Sequence, residues 1–313
     1  MARPLRIEYP GAFYHITSRG NEQQNIFKSD GDRVRFLSYL ESAVERYKAV
    51  IHVYCLMNNH YHLLLETPMG NLSQIMRHIN GAYTTYYNTK RKRFGHLLQG
   101  RYKAILIEAD EYAEELSRYI HLNPIRAKIT VKPEEYQWSS YQYYIGKKQI
   151  PKWLTKEYIL SYFGRETATA QKKYSKYVNA LITNKGYDNP LKDTKASAIL
   201  GGNEFVNEIR DKYLSGKKAD RNQPSLRELN RANIEEIISA VEKILGKNEA
   251  ISKKAAIYLC HRYSGRTLRE IGVHFSIGES AVSQTSRRFS VLLDKDKKLN
   301  KKIDTICSRL KPV

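Results

Sequence analysis

The chain is poor in cysteine, and its three cysteines stand far apart. Cys55, Cys260 and Cys307 make no CxxC pair and no even-numbered framework, so a disulfide scaffold is excluded and buried thiols in a reducing compartment are expected. Long apolar runs are missing too. None approaches membrane-spanning length, and the N-terminal MARPLRIEYPGAFYHI lacks the apolar core of a signal peptide, which together predict a cytoplasmic protein. Internal repeats and low-complexity tracts are absent. Acidic residues are scarce relative to basic ones: 32 Asp and Glu against 53 Lys and Arg leave a net charge of +21. Such an excess favours a polyanionic partner, nucleic acid above all, although a merely basic, solvated surface would have the same composition.

What is present suffices for packed cores. The 313 residues are 41% hydrophobic and 11% aromatic, enough for two domains or for one domain with an extension. AFYHITSRG (12–20) reads as a strand, and DGDRVRFLSYLESAVERY (30–47) as a helix with Asp30 or Asp32 at its N-cap. AVIHVYCLM and HYHLLLET are strand-like runs joined at Asn58 and Asn59, a pair suited to a tight turn. Asn71 is placed to cap a second helix, GRYKAILIE (100–108) makes a fourth strand, and Asp110 opens a third helix that Pro124 ends. The order β-α-β-β-α-β plus one helix predicts an α+β fold, a ferredoxin-like antiparallel sheet with packed helices.

Within the third strand, His60 and His62 alternate with Tyr61, Leu63 and Leu65, so both imidazoles share one face while the apolar set supplies core. In the third helix Tyr112, Leu116, Tyr119 and Asn123 fall on one face. Two imidazoles, a phenol and an amide on these elements could converge on one metal-assisted site that acts on a phosphodiester. Each part also has a plainer reading. Strand histidines are often satisfied by hydrogen bonds, Tyr119 is one of 24 tyrosines, and an asparagine before proline suits a helix end. Tyr83, Tyr86 and Tyr87 are rival nucleophiles, but no asparagine follows them one turn on.

His60-Tyr61-His62 followed by ELSRYIHLNPIRAKI, with YHITSRGN and QGRYKAILIE, resembles the HUH superfamily of single-tyrosine endonucleases, in particular the REP-associated tyrosine transposases. The likeness spans roughly residues 5–150. It implies the HUH endonuclease fold, His60 and His62 as metal ligands, Tyr119 as nucleophile and Asn123 as the third ligand. Mg²⁺ or Mn²⁺ is implied by the family, while the ligand types alone would equally permit Zn²⁺. Attack by Tyr119 on hairpin-bearing single-stranded DNA would leave a 5′-phosphotyrosine and a free 3′-OH. A tyrosine has a reference pKa of about 10, so charge neutralisation nearby is needed for such an attack.

Arg19, Arg91, Lys92, Arg93, Arg101 and Lys103, interleaved with Phe94, His96 and Tyr102, are candidate contacts for single-stranded or hairpin DNA, or else a solvated basic loop. Residues 1–150 are thus read as the HUH domain. Residues 151–224 follow as an aromatic wrap and basic helical connector that includes SGKKADRNQPS.

Residues 225–313 are expected to form an all-α helix-turn-helix domain. Leu268, Ile271 and Phe275 would pack a first helix, Ser276-Ile277-Gly278 would turn, and Ala281, Val282 and Phe289 would bury a second. Ser280, Ser283, Gln284, Arg287 and Arg288 would then face duplex DNA. Lys253 to Lys302 carries twelve Lys or Arg against four Asp or Glu, which favours that reading over a bland bundle. The segment resembles the duplex-binding domain of the replication initiator DnaA, with ESAVSQTSRR in place of its usual recognition signature. Two rival functions share these features: a non-catalytic nucleic-acid-binding regulator on the same sheet, and a simple metallohydrolase, which the lack of a carboxylate beside the histidines disfavours.

Overall fold

Period-two alternation of apolar residues produces the central sheet of this computed structural model, which describes residues 5–182, 189–214, 229, 232–247 and 250–310. β1 (Ala12–Arg19) leads into α1 (Asp30–Tyr47), β2 (Val50–Leu56), β3 (His60–Thr67), α2 (Leu72–Lys90), β4 (Lys103–Ile107) and α3 (Ala109–His121). The strand order is β2-β3-β1-β4, antiparallel throughout, as the ferredoxin-like reading requires. A further strand, β5 (Ile199–Leu200), extends the sheet beside β4 and runs parallel to it, so the sheet is mixed and five-stranded. Two residues show no alternation, and that is why this strand is invisible in sequence. The described residues separate into two compact units, one within Pro4–Asn207 and one within Glu208–Val313.

In the first unit, Tyr61 and Leu63 are fully buried on the sheet face covered by α1 and α2, where the Tyr61 ring lies 4.7 Å from that of Phe36. The Tyr61 hydroxyl donates to Asn80 Oδ1 at 2.6 Å. Ser29, not Asp30 or Asp32, is the N-cap of α1: its hydroxyl accepts from the Asp32 N–H while Asp32 closes a capping box on the Ser29 N–H. Asp32 is thereby freed to meet Lys90 (2.9 Å) and Arg91 (2.5 Å) at the far end of α2. Burial pushes its carboxyl up, yet these two cations and the Lys28 N–H outweigh it and hold the pKa at about 2. Asn71 does sit at the N-cap of α2, but its amide donates to Tyr47 O instead of closing the helix end.

On the opposite face α3 packs against β2 and β3, burying Val53, Cys55, Leu64, Ala113 and Ile120. Tyr136, Tyr141 and Tyr144 join this core, as do Ile159, Leu160 and, from the helix Thr167–Asn179, Ala170, Tyr174 and Val178. Within the stretch expected as connector, QKKYSKY lies in that helix and LGGNEF spans β5 and the start of the helix Asn203–Ile209, whereas SGKKADRNQPS lies outside the described residues.

The second unit is helical. Ile234–Leu245, Ala250–Leu259 with its π-helical continuation Cys260–Ser264, Leu268–Phe275, Glu279–Lys295 and Lys297–Leu310 enclose Ile237, Val241, Leu259, Ile271, Val282, Phe289 and Ile306. Ser276, in the left-handed conformation at φ 54°, ends Leu268–Phe275. A Cβ at Gly272 would stand 2.5 Å from Ile277 O, so only glycine allows the turn to close this tightly on the helix.

Candidate active site

Strand register gathers the predicted residues at one end of the sheet. β1 pairs Thr17 with His62 and Arg19 with His60, and β4 sets Lys103 opposite Thr17. Directly paired residues share a face, so Arg19, His60, His62 and Lys103 all lie on the face that α3 covers. There they line a cleft of about 390 Å³ together with Gln99, Arg101, Tyr119 and Asn123.

Each imidazole is held through one nitrogen. His60 Nδ1 lies 2.6 Å from Asn59 Oδ1, a contact that requires the ring to donate from Nδ1. His62 Nδ1 lies 3.0 Å from Nε2 of His15, a histidine the motif reading overlooked. His15 sits two residues before Thr17 on β1, so strand parity was the available signal once β1 is paired with β3. Burial keeps all three rings neutral. It lowers His15 to about 3, with Lys103 adding to the effect, and His60 to about 4, with help from Arg19. His62 is driven well below the ordinary value by burial first, then by His15, His60 and Arg126. A neutral imidazole that donates from Nδ1 presents Nε2 as a lone pair.

Tyr119 comes down on this group from α3, its ring 6.2 Å from that of His62 and nearly perpendicular to it. It is 7% exposed, so its access is through the cleft. Arg126, also missed in the sequence reading, sets its guanidinium 4.5 Å from the centre of the Tyr119 ring. Pro124 does not turn Asn123 away. After α3 ends at His121 the chain makes one further turn, Asn123–Arg126, with the proline in its first positions, where a missing N–H costs nothing. The Asn123 amide nitrogen donates to the carbonyls of Tyr119 (3.0 Å) and Ile120 (3.3 Å), which leaves its oxygen free for another partner. Among the described residues no three His, Cys, Asp or Glu side chains are arranged to hold a metal. The donor set that remains, two neutral imidazoles and an amide oxygen, fits a divalent ion whose other positions are filled by phosphate or water. The cations around it, with no carboxylate among the described lining residues, make anionic ligands the natural complement.

A buried polar cluster fixes α3 from behind. His121 is fully buried, with Nδ1 2.7 Å from the Tyr174 hydroxyl and Nε2 2.8 Å from Ser140 Oγ, while Tyr174 also meets Ser117 at 3.0 Å. Burial lowers His121 to about 3, so it stays neutral.

Of the other proposed contacts, Arg19, Arg101 and Lys103 line the cleft. Arg91 does not: its guanidinium is paired with buried Asp32 and stacked 4.2 Å above Tyr87. Lys92 is exposed, and Arg93 donates to Asn88 Oδ1 and His96 O within the loop that leads to β4. That loop is anchored beside the cleft by the Asn21 N–H to Leu97 O (2.9 Å) and the Gln99 N–H to Arg19 O (2.8 Å), and its tip carries Phe94 at 93% exposure. Tyr83 and Tyr87 are buried and donate to Ile26 O and Asn25 O, away from the histidines.

In the helical unit, Val282, Ser286, Phe289 and Leu293 form the buried face of Glu279–Lys295. Ser280, Ser283, Gln284, Arg287 and Arg288 are all exposed on its other side.

Residues 9–123 match the family described as "Transposase IS200 like". The match ends at Asn123 and takes in β1, β3, α3 and every N-terminal cleft residue named above, so it supports a transposase-type DNA endonuclease built on this sheet. It covers under half of the chain. A solved structure described as a REP-associated tyrosine transposase bound to a REP hairpin is similar at 15% identity and TM-score 0.42, covering 48% of this chain and 89% of that one. That likeness is too weak to carry fold or function. No curated protein matches the chain.

Proposed function

We propose that the chain is a DNA strand transferase that cuts hairpin-bearing single-stranded DNA with Tyr119 and holds duplex DNA with its helical unit. The observation that carries the reading is the convergence of Tyr119, His60, His62 and Asn123 on one basic cleft inside the segment that matches IS200-like transposases. A divalent ion, Mg²⁺ or Mn²⁺, held by His60, His62 and the Asn123 oxygen, would neutralise and polarise the scissile phosphate.

The chain's own residues do the rest. Arg19, Arg101 and Lys103 draw the DNA backbone into the cleft, and Phe94 offers a stacking surface for an unpaired base beside it. The Tyr119 oxygen attacks phosphorus and the bond from phosphorus to the 3′ oxygen breaks. The phenol gives up its proton, the leaving 3′ oxygen takes one, and the 5′ phosphate stays on the tyrosine. One ester replaces another, so a second 3′-OH can reverse the step and join strands without ATP. Arg126, over the Tyr119 ring, adds positive charge where the phenol becomes anionic. In the helical unit, exposed Ser280, Ser283, Gln284, Arg287 and Arg288 are of the types that reach base edges and phosphates, on the second helix of a helix-turn-helix.

Incubation of the full chain with hairpin-containing single-stranded DNA and Mn²⁺ should give an adduct that survives denaturing electrophoresis. Tyr119→Phe should lower its yield at least about a thousandfold while hairpin binding stays within about twofold. An adduct undiminished in that variant would remove Tyr119 from its role. A wild-type protein that binds the hairpin and forms no adduct would favour the non-catalytic regulator.

A further inference from the structure

We infer that His15 is a positioning residue: it accepts the Nδ1 proton of His62 and so sets the tautomer that points the free Nε2 lone pair of His62 into the cleft. The inference rests on the reading of His60 and His62 as metal ligands.

Three observations carry it. First, His15 Nε2 and His62 Nδ1 stand 3.0 Å apart with their rings inclined by only 14°, a side-by-side hydrogen bond in which one ring must donate and the other accept. Second, both rings are buried, His15 at 2% and His62 at 7% exposure, so water does not compete for that bond. Third, His15 Nδ1 is enclosed and has no partner among the described residues, so no other group among them competes with His62 in deciding which His15 nitrogen carries the proton.

Two proton arrangements satisfy the bond. If His15 donates, His62 carries its proton on Nε2 and faces the cleft with an N–H, which repels a cation. If His62 donates, His15 holds its own proton on Nδ1, and His62 Nε2 is an open lone pair. Only the second makes His62 a ligand. His60 needs no such partner, because the Asn59 side-chain oxygen can only accept and already requires its donor to be Nδ1. Metal-ligating histidines commonly have the second nitrogen fixed by a carboxylate, carbonyl or water. In this fold a second imidazole takes that place. It supplies an acceptor with no negative charge, in a cleft lined by cations and open to a phosphate.

The test uses the full chain with ¹⁵N-labelled histidine. In the metal-free wild type the His62 ring should show its proton on Nδ1. His15→Leu removes the acceptor, while His15→Gln keeps one in its side-chain oxygen. Mn²⁺ titration followed by electron paramagnetic resonance should show affinity reduced about 10- to 100-fold in His15→Leu and largely restored in His15→Gln, with the His60 ring signals unchanged. The inference is overturned if His62 carries its proton on Nε2 in the metal-free wild type, or if His15→Leu binds Mn²⁺ within twofold of wild type. A different result strikes the underlying reading: wild-type protein that takes up no Mn²⁺, alone or with a DNA hairpin, would mean that His62 is no ligand for His15 to position. Should His15→Leu fail to fold, the wild-type tautomer and His15→Gln still decide.

Discussion

The two units present basic chemistry in opposite ways. In the first, neutral side chains are sunk to the floor of a cleft and cations stand at its walls. In the second, Arg287, Arg288 and their polar neighbours project from the exposed side of one helix over an apolar core. The cleft depends on partners far apart in sequence, such as His15 with His62 and Arg19 with His60. The exposed helix depends only on its own periodicity. A buried site is therefore sensitive to single atoms, whereas an exposed face is sensitive to summed charge.

The sharpest break in that comparison should come from the ligands. His60→Ala or His62→Ala is expected to lower Mn²⁺ affinity and adduct yield by about 100-fold or more. Asn123→Ala should cost less, about tenfold, since it removes one neutral oxygen. Isothermal titration with Mn²⁺ checks this, and equal losses in all three variants would contradict the ranking. Because no carboxylate among the described residues lines the cleft, Mn²⁺ affinity should also rise when a DNA hairpin is present, and hairpin affinity should rise with Mn²⁺ by the same factor.

Acid should come next. His15 and His121 are neutral in the fold at about 3, below the ordinary 6.5. Between those values the unfolded chain binds protons that the folded chain does not, so stability rises with pH across the window and falls as pH drops below about 6.5. Going from pH 6.5 to 5 should cost on the order of 2 kcal/mol for each ring, since each pH unit is worth about 1.4 kcal/mol. Urea denaturation of the full chain at several pH values measures it, and a flat profile over this range would refute the assignment of neutral buried rings. Asp32, held at about 2, behaves separately: its contribution is present above the ordinary carboxyl value and is lost progressively as pH falls from there through about 2.

Asp32→Asn leaves Lys90 and Arg91 without their shared anion and should destabilise the first unit by about 3 kcal/mol. Its midpoint in urea should move while adduct formation by the folded protein persists, because neither cation reaches the cleft. The smallest effect belongs to the exposed helix. Arg287→Ala with Arg288→Ala should weaken duplex binding and shrink the slope of log affinity against log salt by about 2, leaving hairpin cleavage unchanged. An unaltered slope would assign this face to something other than DNA.

How far these features were legible in the sequence follows the same division. Local patterns carried well: the alternation around His60 and His62, the helical face of Tyr119 and Asn123, and the buried positions Val282 and Phe289. What escaped were relations set by pairing. His15 needed the register of β1 against β3, Arg126 needed the extra turn after α3, and β5 was two residues long. Arg91 was misplaced for a related reason. Its run of basic neighbours suggested a nucleic-acid contact, but the end of α2 meets the start of α1, where a buried carboxylate was waiting. Ser29 holds the cap that Asp30 or Asp32 was expected to hold, and Asp32 instead closes the capping box from inside the helix.

The amide of Asn123 hangs from the carbonyls of Tyr119 and Ile120, which ties the asparagine side chain to the end of the helix that carries Tyr119. On the proposed reading, any excursion of that helix withdraws both together. The ion would then lose one of its three ligands whenever the nucleophile moves off, while His60 and His62 stay on their strand. On that reading, a strand bonded to the Tyr119 oxygen would itself tie the helix end, and Asn123 with it, in place until the strand is rejoined.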